Sequence, residues 1–195
     1  MYKLPLLLLG LLLSAIQLHG QKQNWRWQNP IPTGNNINAS ASVDAITIVM
    51  VGNAGTIMKT KDGGKNWKLV KSNTRVDLYA VFLLADGGGI AVGEDGTILK
   101  TDDCGENWAP LSSGRKDTLR GISMLSRKKI IAVGDTGTIL KSIDGGDTWQ
   151  QIFFLDENTG AADLSLDKEN PRVLYVGMWD HERKPWKIRS GGKQS

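Results

Sequence analysis

An eight-residue phrase occurs three times in this chain with the same grammar: Thr60-Lys61-Asp62-Gly63-Gly64-Lys65-Asn66-Trp67, Thr101-Asp102-Asp103-Cys104-Gly105-Glu106-Asn107-Trp108 and Ser142-Ile143-Asp144-Gly145-Gly146-Asp147-Thr148-Trp149. The tryptophans fall at 67, 108 and 149, so the period is 41 residues with no insertion or deletion between copies. A period near 40 marks units of one small antiparallel sheet that cannot bury its faces alone, as in propeller blades. Inside each period lie further shared pieces. Met50-Val51-Gly52, Ala91-Val92-Gly93 and Ala132-Val133-Gly134 are each followed, after two variable residues, by Gly-Thr-Ile and an apolar residue. A Gly-x-x-Gly between two β-prone runs predicts a tight hairpin, because Gly supplies the positive φ such turns need. Ala45–Val51, Tyr79–Leu84 and Leu119–Leu125 are expected to be a preceding strand in equivalent phase, so each unit has room for four short strands.

The recurring phrase itself is expected to be a turn between the third and fourth strands. A Thr or Ser hydroxyl and an Asp carboxylate accept bonds from turn amides, Gly takes the left-handed conformation, and Trp covers the hairpin. The residues assigned these structural roles are Thr60, Asp62, Gly64 and Trp67, then Thr101, Asp103, Gly105 and Trp108, then Ser142, Asp144, Gly146 and Trp149. All of these roles are local, and none names a chemistry.

At these residues the sequence resembles the Asp-box, or bacterial neuraminidase, repeats, whose pattern is Ser/Thr-x-Asp-x-Gly-x-Thr/Asn-Trp. With the preceding Val-Gly-x-x-Gly-Thr-Ile, the three units are similar to the photosystem II stability and assembly factor family of propellers. The stretch from Thr159-Gly160-Ala161-Ala162 through Trp179 and Lys184-Pro185-Trp186 to Ser190-Gly191-Gly192 resembles instead the sortilin-like, glycosyl-hydrolase-named Asp-box propellers. The resemblance implies an all-β propeller of about six to ten blades. It also implies protein or peptide partners, since assembly factors bind proteins and sortilin-like receptors bind peptides. About 175 residues follow the first 20, enough for roughly four blades, so an incomplete or open propeller is expected, with exposed blade edges prone to self-association.

Three segments are expected. Residues 1–20 read as a secretory signal, with Lys3 ahead of an apolar run from Leu4 to Ile16 that is too short for a membrane span. Residues 21–155 carry about three Asp-box blades, and 156–195 a partial fourth blade with a basic, aromatic excursion. Localisation is therefore expected to be secreted or periplasmic. The formal charge is +4, or about +3 without Lys3, and its excess sits after Arg172; nothing resembles a nucleic-acid module. Cys104 is the lone cysteine, so there is no internal disulfide.

A glycosidase needs two carboxylates across a cleft, or a Tyr nucleophile with an acid and an Arg cluster. Tyr79 and Tyr175 lie in apolar strand runs where packing is the default, and the box aspartates are committed to turns. Asp102-Asp103 and His181 lack a metal ligand set at usable spacing, and no cofactor is expected. The leading reading is an exported, non-enzymatic scaffold whose loops bind a protein or peptide. Its candidate surface is Arg75, Arg115 and Arg120 with Trp179, Asp180, His181, Glu182, Arg183 and Trp186. The alternative is a carbohydrate-active or sugar-binding module, with Asp180 or Glu182 as acid and Trp179 or Trp186 as stacking platform. A third reading is a truncated remnant without a stable fold of its own.

Overall fold

The computed structural model of the chain describes residues 33–153, 159–167, 170, 173–184 and 187–190. The first 20 residues, Trp27 and Trp186 lie outside the described residues. The described chain is nearly all β. Sheet one is β1 (Ile37–Ser42), β2 (Ile48–Gly52), β3 (Ile57–Thr60) and β4 (Lys68–Val70), paired in chain order. Sheet two is β5 (Leu78–Leu83), β6 (Gly89–Gly93), β7 (Thr97–Thr101) and β8 (Ala109–Ser112). Sheet three is β9 (Leu119–Met124), β10 (Ile130–Gly134), β11 (Ile139–Ser142) and β12 (Gln150–Phe153). Three strands, β13 (Thr159–Leu166), β14 (Leu174–Lys184) and β15 (Lys187–Ser190), make the fourth sheet. Every pairing is antiparallel between strands adjacent in sequence, the meander of a propeller blade. The first strands line up side by side, β1 against β5, β5 against β9 and β9 against β13.

The core lies between the sheets, since side chains alternate along a strand and both faces of each sheet are apolar. In sheet two, Ala91 and Leu99 join Val49, Val51 and Ile57 of sheet one, while Ile90, Val92 and Ile98 join Leu119, Ile122 and Ile130 of sheet three. A smaller cluster of Val133, Ile139 and Ala161 joins sheets three and four. Full burial of one such side chain contributes about 2 kcal/mol, so the two larger joints dominate stability.

Two expectations change. The first strand of unit one is Ile37–Ser42, not Ala45–Val51; Ile48–Gly52 is its second strand. The misplacement has a physical cause: Ile-Asn-Ala-Ser-Ala-Ser is polar at alternate positions and mostly exposed, so it carries no β-branched run to mark it. Trp179, Asp180, His181, Glu182 and Arg183, expected among binding loops, lie in regular strand. β14 runs on past the start of β13 and there pairs with β15, with His181 opposite Ser190 and Glu182 opposite Arg189.

The Gly-x-x-Gly turns are tight for a definite reason. In the first, Ala54 and Gly55 both have positive φ (54° and 68°), and Asp95-Gly96 and Thr136-Gly137 repeat the pair. The leading glycine has an extended backbone but no room: a Cβ on Gly93 would sit 2.1 Å from the Asp77 carbonyl oxygen. That carbonyl accepts the Glu94 N–H at 2.9 Å, which ties the incoming linker to the turn. Gly93→Ala is expected to break this tie and destabilise the protein by about 3 kcal/mol in urea unfolding. A change within about 0.5 kcal/mol would show that the linker gives way freely.

Candidate protein-binding site

Alternating strand directions divide the loops between two ends. At one end, each Asp-box turn meets the loop joining the first two strands of its unit: Gly63 N–H donates to the Ile46 carbonyl, Cys104 to Gly87 and Gly145 to Lys128. At the other end, each Gly-x-x-Gly turn meets the linker between units: Asn53 N–H donates to Asn36, Glu94 to Asp77 and Asp135 to Thr118.

The Asp-box end is occupied by its own hydrogen bonds. The Thr60 hydroxyl donates to Asp62 at 2.7 Å and accepts the Gly64 N–H at 3.0 Å, while Asp62 accepts the backbone and side-chain amides of Asn66 at 2.9 and 2.7 Å. The second box repeats this through Thr101, Asp103, Gly105 and Asn107, and the third through Ser142, Asp144, Gly146 and Thr148. The Trp108 indole donates to Gly105 O at 3.2 Å and Trp149 to Gly146 O at 3.0 Å. Trp108 is buried; Trp67 and Trp149 are half-buried.

These bonds favour the charged carboxylates. Asn66 amides, backbone then side chain, hold Asp62 at about 2. For Asp103, burial pushes upward but the Asn107 amides and the Thr101 hydroxyl outweigh it and hold it at about 2. The Thr148 hydroxyl and backbone N–H hold Asp144 lower still.

The repeat also carries a latch that the sequence analysis missed. The Lys before the first and second box Thr reaches the next unit: Lys59 Nζ meets Glu106 Oε1 at 3.0 Å, and Lys100 Nζ donates to Gly145 O at 3.1 Å. Lys61 and then Lys59 hold Glu106 at about 2. Lys141, in the same register, is exposed. The signal was present in Ile-x-Lys-Thr/Ser, three times at one spacing. Arg127 adds a third tie across units, to Asp86 at 2.8 Å and to Asp102.

At the linker end the predicted arginines differ sharply in freedom. Arg120, on β9, is held by both oxygens of Asp135 and lies 5.1 Å from the Tyr79 ring centroid. Tyr79, on β5, donates its hydroxyl to Glu94 at 2.9 Å, and burial, then that carboxylate, raise its pKa. Asn38 takes the same position one unit earlier, donating to Asn53 Oδ1 and to Leu78 O, each at 2.8 Å. Arg115 is bound to Asp117 at 2.7 Å and donates to Gln151 at 3.1 Å. Arg75 is exposed and meets no carboxylate among the described residues. Trp179, Asp180, His181, Glu182 and Arg183 are placed on β14, at the end where it leaves β13 and projects past the start of that strand, which is the linker end.

Two clefts open at this end, one on either side of the linker that joins units one and two. The first holds about 710 Å³ and is lined by Asn35, Ala54, Leu69, Lys71 and Arg75 among others. The second holds about 300 Å³ and is lined by Asp95, Pro110, Ser112 and Arg115 among others. Among the described residues, no group of three or more His, Cys, Asp or Glu side chains is assembled that could hold a metal.

The carboxylate shifts set an acid limit on stability. Asp62, Asp103 and Glu106 have folded pKa values of about 2, below their ordinary 3.8 and 4.5, so their contribution is complete above those ordinary values and is lost as pH falls towards 2. The melting temperature is expected to be level above about pH 5 and to drop between about pH 4 and 2, with a smaller drop in Asp103→Asn. An unchanged acid limb in that variant would remove the box carboxylate from the account.

Comparison with known proteins agrees with this geometry. The family model described as photosynthesis system II assembly factor YCF48 matches residues 13–102, just under half of the chain. A search of curated proteins found no match. Among solved structures, YCF48 bound to D1 peptide superposes with a TM-score of 0.65 at 20% identity, over 85% of this chain and 57% of that one. YCF48 from Cyanidioschyzon merolae gives 0.63 at 17% identity, over 83% and 57%. The GH74 enzyme of Niastella koreensis gives 0.63 at 19% identity, over 74% of this chain and 26% of that enzyme. The chain thus spans a little over half the length of the YCF48 structures it matches. With its three Asp-boxes, it is a β-propeller segment of the Asp-box type that resembles the photosystem II assembly factor.

Proposed function

We propose that this chain is an exported, non-enzymatic scaffold that binds segments of partner proteins at its linker end. The observation that carries the reading is the division of labour between the two ends. The Asp-box carboxylates are spent on turn amides, and Arg127, Lys59 and Lys100 tie neighbouring units together. Among the described residues, the linker end keeps two open clefts and, in Arg75, a guanidinium that meets no carboxylate. The likeness to YCF48, one structure of which is bound to D1 peptide, supports a peptide-sized ligand. Export rests on the apolar run at Leu4–Ile16 behind Lys3. The sortilin-like reading of residues 159–192 adds a second peptide-binding group to the comparison. A carbohydrate-active role is the second reading; the GH74 likeness behind it is one of fold.

A tiled peptide array probed with the whole chain, followed by hydrogen-exchange footprinting of one bound peptide, tests the reading. Protection is expected in residues 71–77 and 112–118, at the linkers. Protection confined to the Asp-box turns, or array binding no stronger than to scrambled sequences, would overturn it.

A further inference from the structure

The two clefts are built on one register, 41 residues apart, yet they differ in charge. Ala54 of the first corresponds to Asp95 of the second, Leu69 to Pro110 and Lys71 to Ser112. The first cleft therefore has two cations, Lys71 and Arg75, and no acidic residue in its lining. Its floor carries Leu69, half exposed at 50%. In the second cleft the acid is Asp95, and the one cation, Arg115, is already held by Asp117 and Gln151. Lys71 and Arg75 meet no carboxylate among the described residues. The second cleft has satisfied its own charge, and the first has not.

We infer that the first cleft is a docking site for an acidic peptide segment, one that places a carboxylate between Lys71 and Arg75 and a neighbouring apolar side chain on Leu69. Charge complementarity names the ligand class. Two unpaired cations on a polar rim favour an anion, and a guanidinium beside an ammonium suits a carboxylate, which it binds through two parallel N–H donors. The exposed Leu69 asks for apolar contact beside that charge, which a peptide supplies and a small inorganic anion does not. The inference rests on the peptide-binding reading above and narrows it to one cleft and one chemistry.

The second cleft supplies its own control. Ala54 has φ 54° and Asp95 has φ 53° in the same turn, and Asp tolerates the left-handed region well, so Ala54→Asp carries the second cleft's acid into the first without straining the backbone. Lys116 stands in the register of Arg75 but does not line the second cleft, so Lys116→Glu makes the same change in net charge elsewhere on this end. The experiment is a fluorescence-polarisation titration of the whole chain with a fluorescein-labelled peptide of alternating Leu and Glu, beside its Leu-Gln counterpart. The Leu-Glu peptide is expected to bind about tenfold more tightly than Leu-Gln. Arg75→Glu and Ala54→Asp are each expected to weaken it about tenfold, and Lys116→Glu less than about twofold. Equal losses in Arg75→Glu and Lys116→Glu would reduce the effect to net charge and overturn the inference. So would unchanged binding in Ala54→Asp. If array peptides bind while the Leu-Glu series shows no preference, this inference fails and the proposed function stands; if no peptide of either kind binds, both fail.

Discussion

Everything in this structure depends on one constraint: a four-stranded sheet with two apolar faces cannot stand alone in water. Among the described residues, units two and three satisfy the constraint by handing one face to the unit before and the other to the unit after, and units one and four each share one such joint. Sheet two shows the arrangement whole, with Ala91 and Leu99 turned one way and Ile90, Val92 and Ile98 the other. The Asp-box serves the same end. Its hydroxyl and carboxylate fold the turn so that its glycine can meet the neighbouring unit. A Cβ on Gly105 would lie 2.8 Å from Val49, and one on Gly146 would lie 2.5 Å from Leu111, so the second and third boxes are each seated against the unit before. The lysine latch then closes the joint with a polar contact at its rim. The motif that looks most like chemistry is a device for stacking sheets.

That constraint also explains where function can reside. The Asp-box end is drawn into the joints, and its charges are paired across them. The linker end carries the Gly-x-x-Gly turns and the connections between units; the turn glycines are fixed by close backbone approach, but exposed side chains such as Lys71 and Arg75 lie outside the core clusters. The same 41-residue register places Tyr79 and Arg120 on first strands and gives each a partner in its own Gly-x-x-Gly turn, Glu94 and Asp135. In the first cleft that register leaves Lys71 and Arg75 without such a partner. A repeat protein offers this kind of comparison within itself, because each unit is a reference for the next.

The sequence revealed most of the architecture because the architecture is periodic. Tryptophans at one spacing, the Gly-x-x-Gly turns and the box aspartates all made their roles visible, since each acts within a few residues of itself. What was hidden acts between units. β1 escaped notice because its residues alternate between polar and small apolar types, with no run to mark it. The run after Gly177 carries no apolar alternation to mark a strand, yet cross-strand hydrogen bonds ignore side-chain charge and carry β14 through it. Arg75, Arg115 and Arg120 share a residue type but not a state: Asp117 and Asp135 take two of them, through contacts that only the folded turn creates. Lys71 was passed over because a lone surface lysine carries no signal until the equivalent position, Ser112, is set beside it.

The claim at the centre of this account is that stability resides in the joints between sheets. Native-state hydrogen exchange of the whole chain tests it most directly. The slowest amides should be those of β5, β6 and β7, in the sheet that shares both of the larger joints, and those of β13 and β14, which share the smaller third joint, should exchange faster. Equal protection across all four sheets, or slowest exchange in the fourth, would contradict the claim and place the stability within the individual sheets.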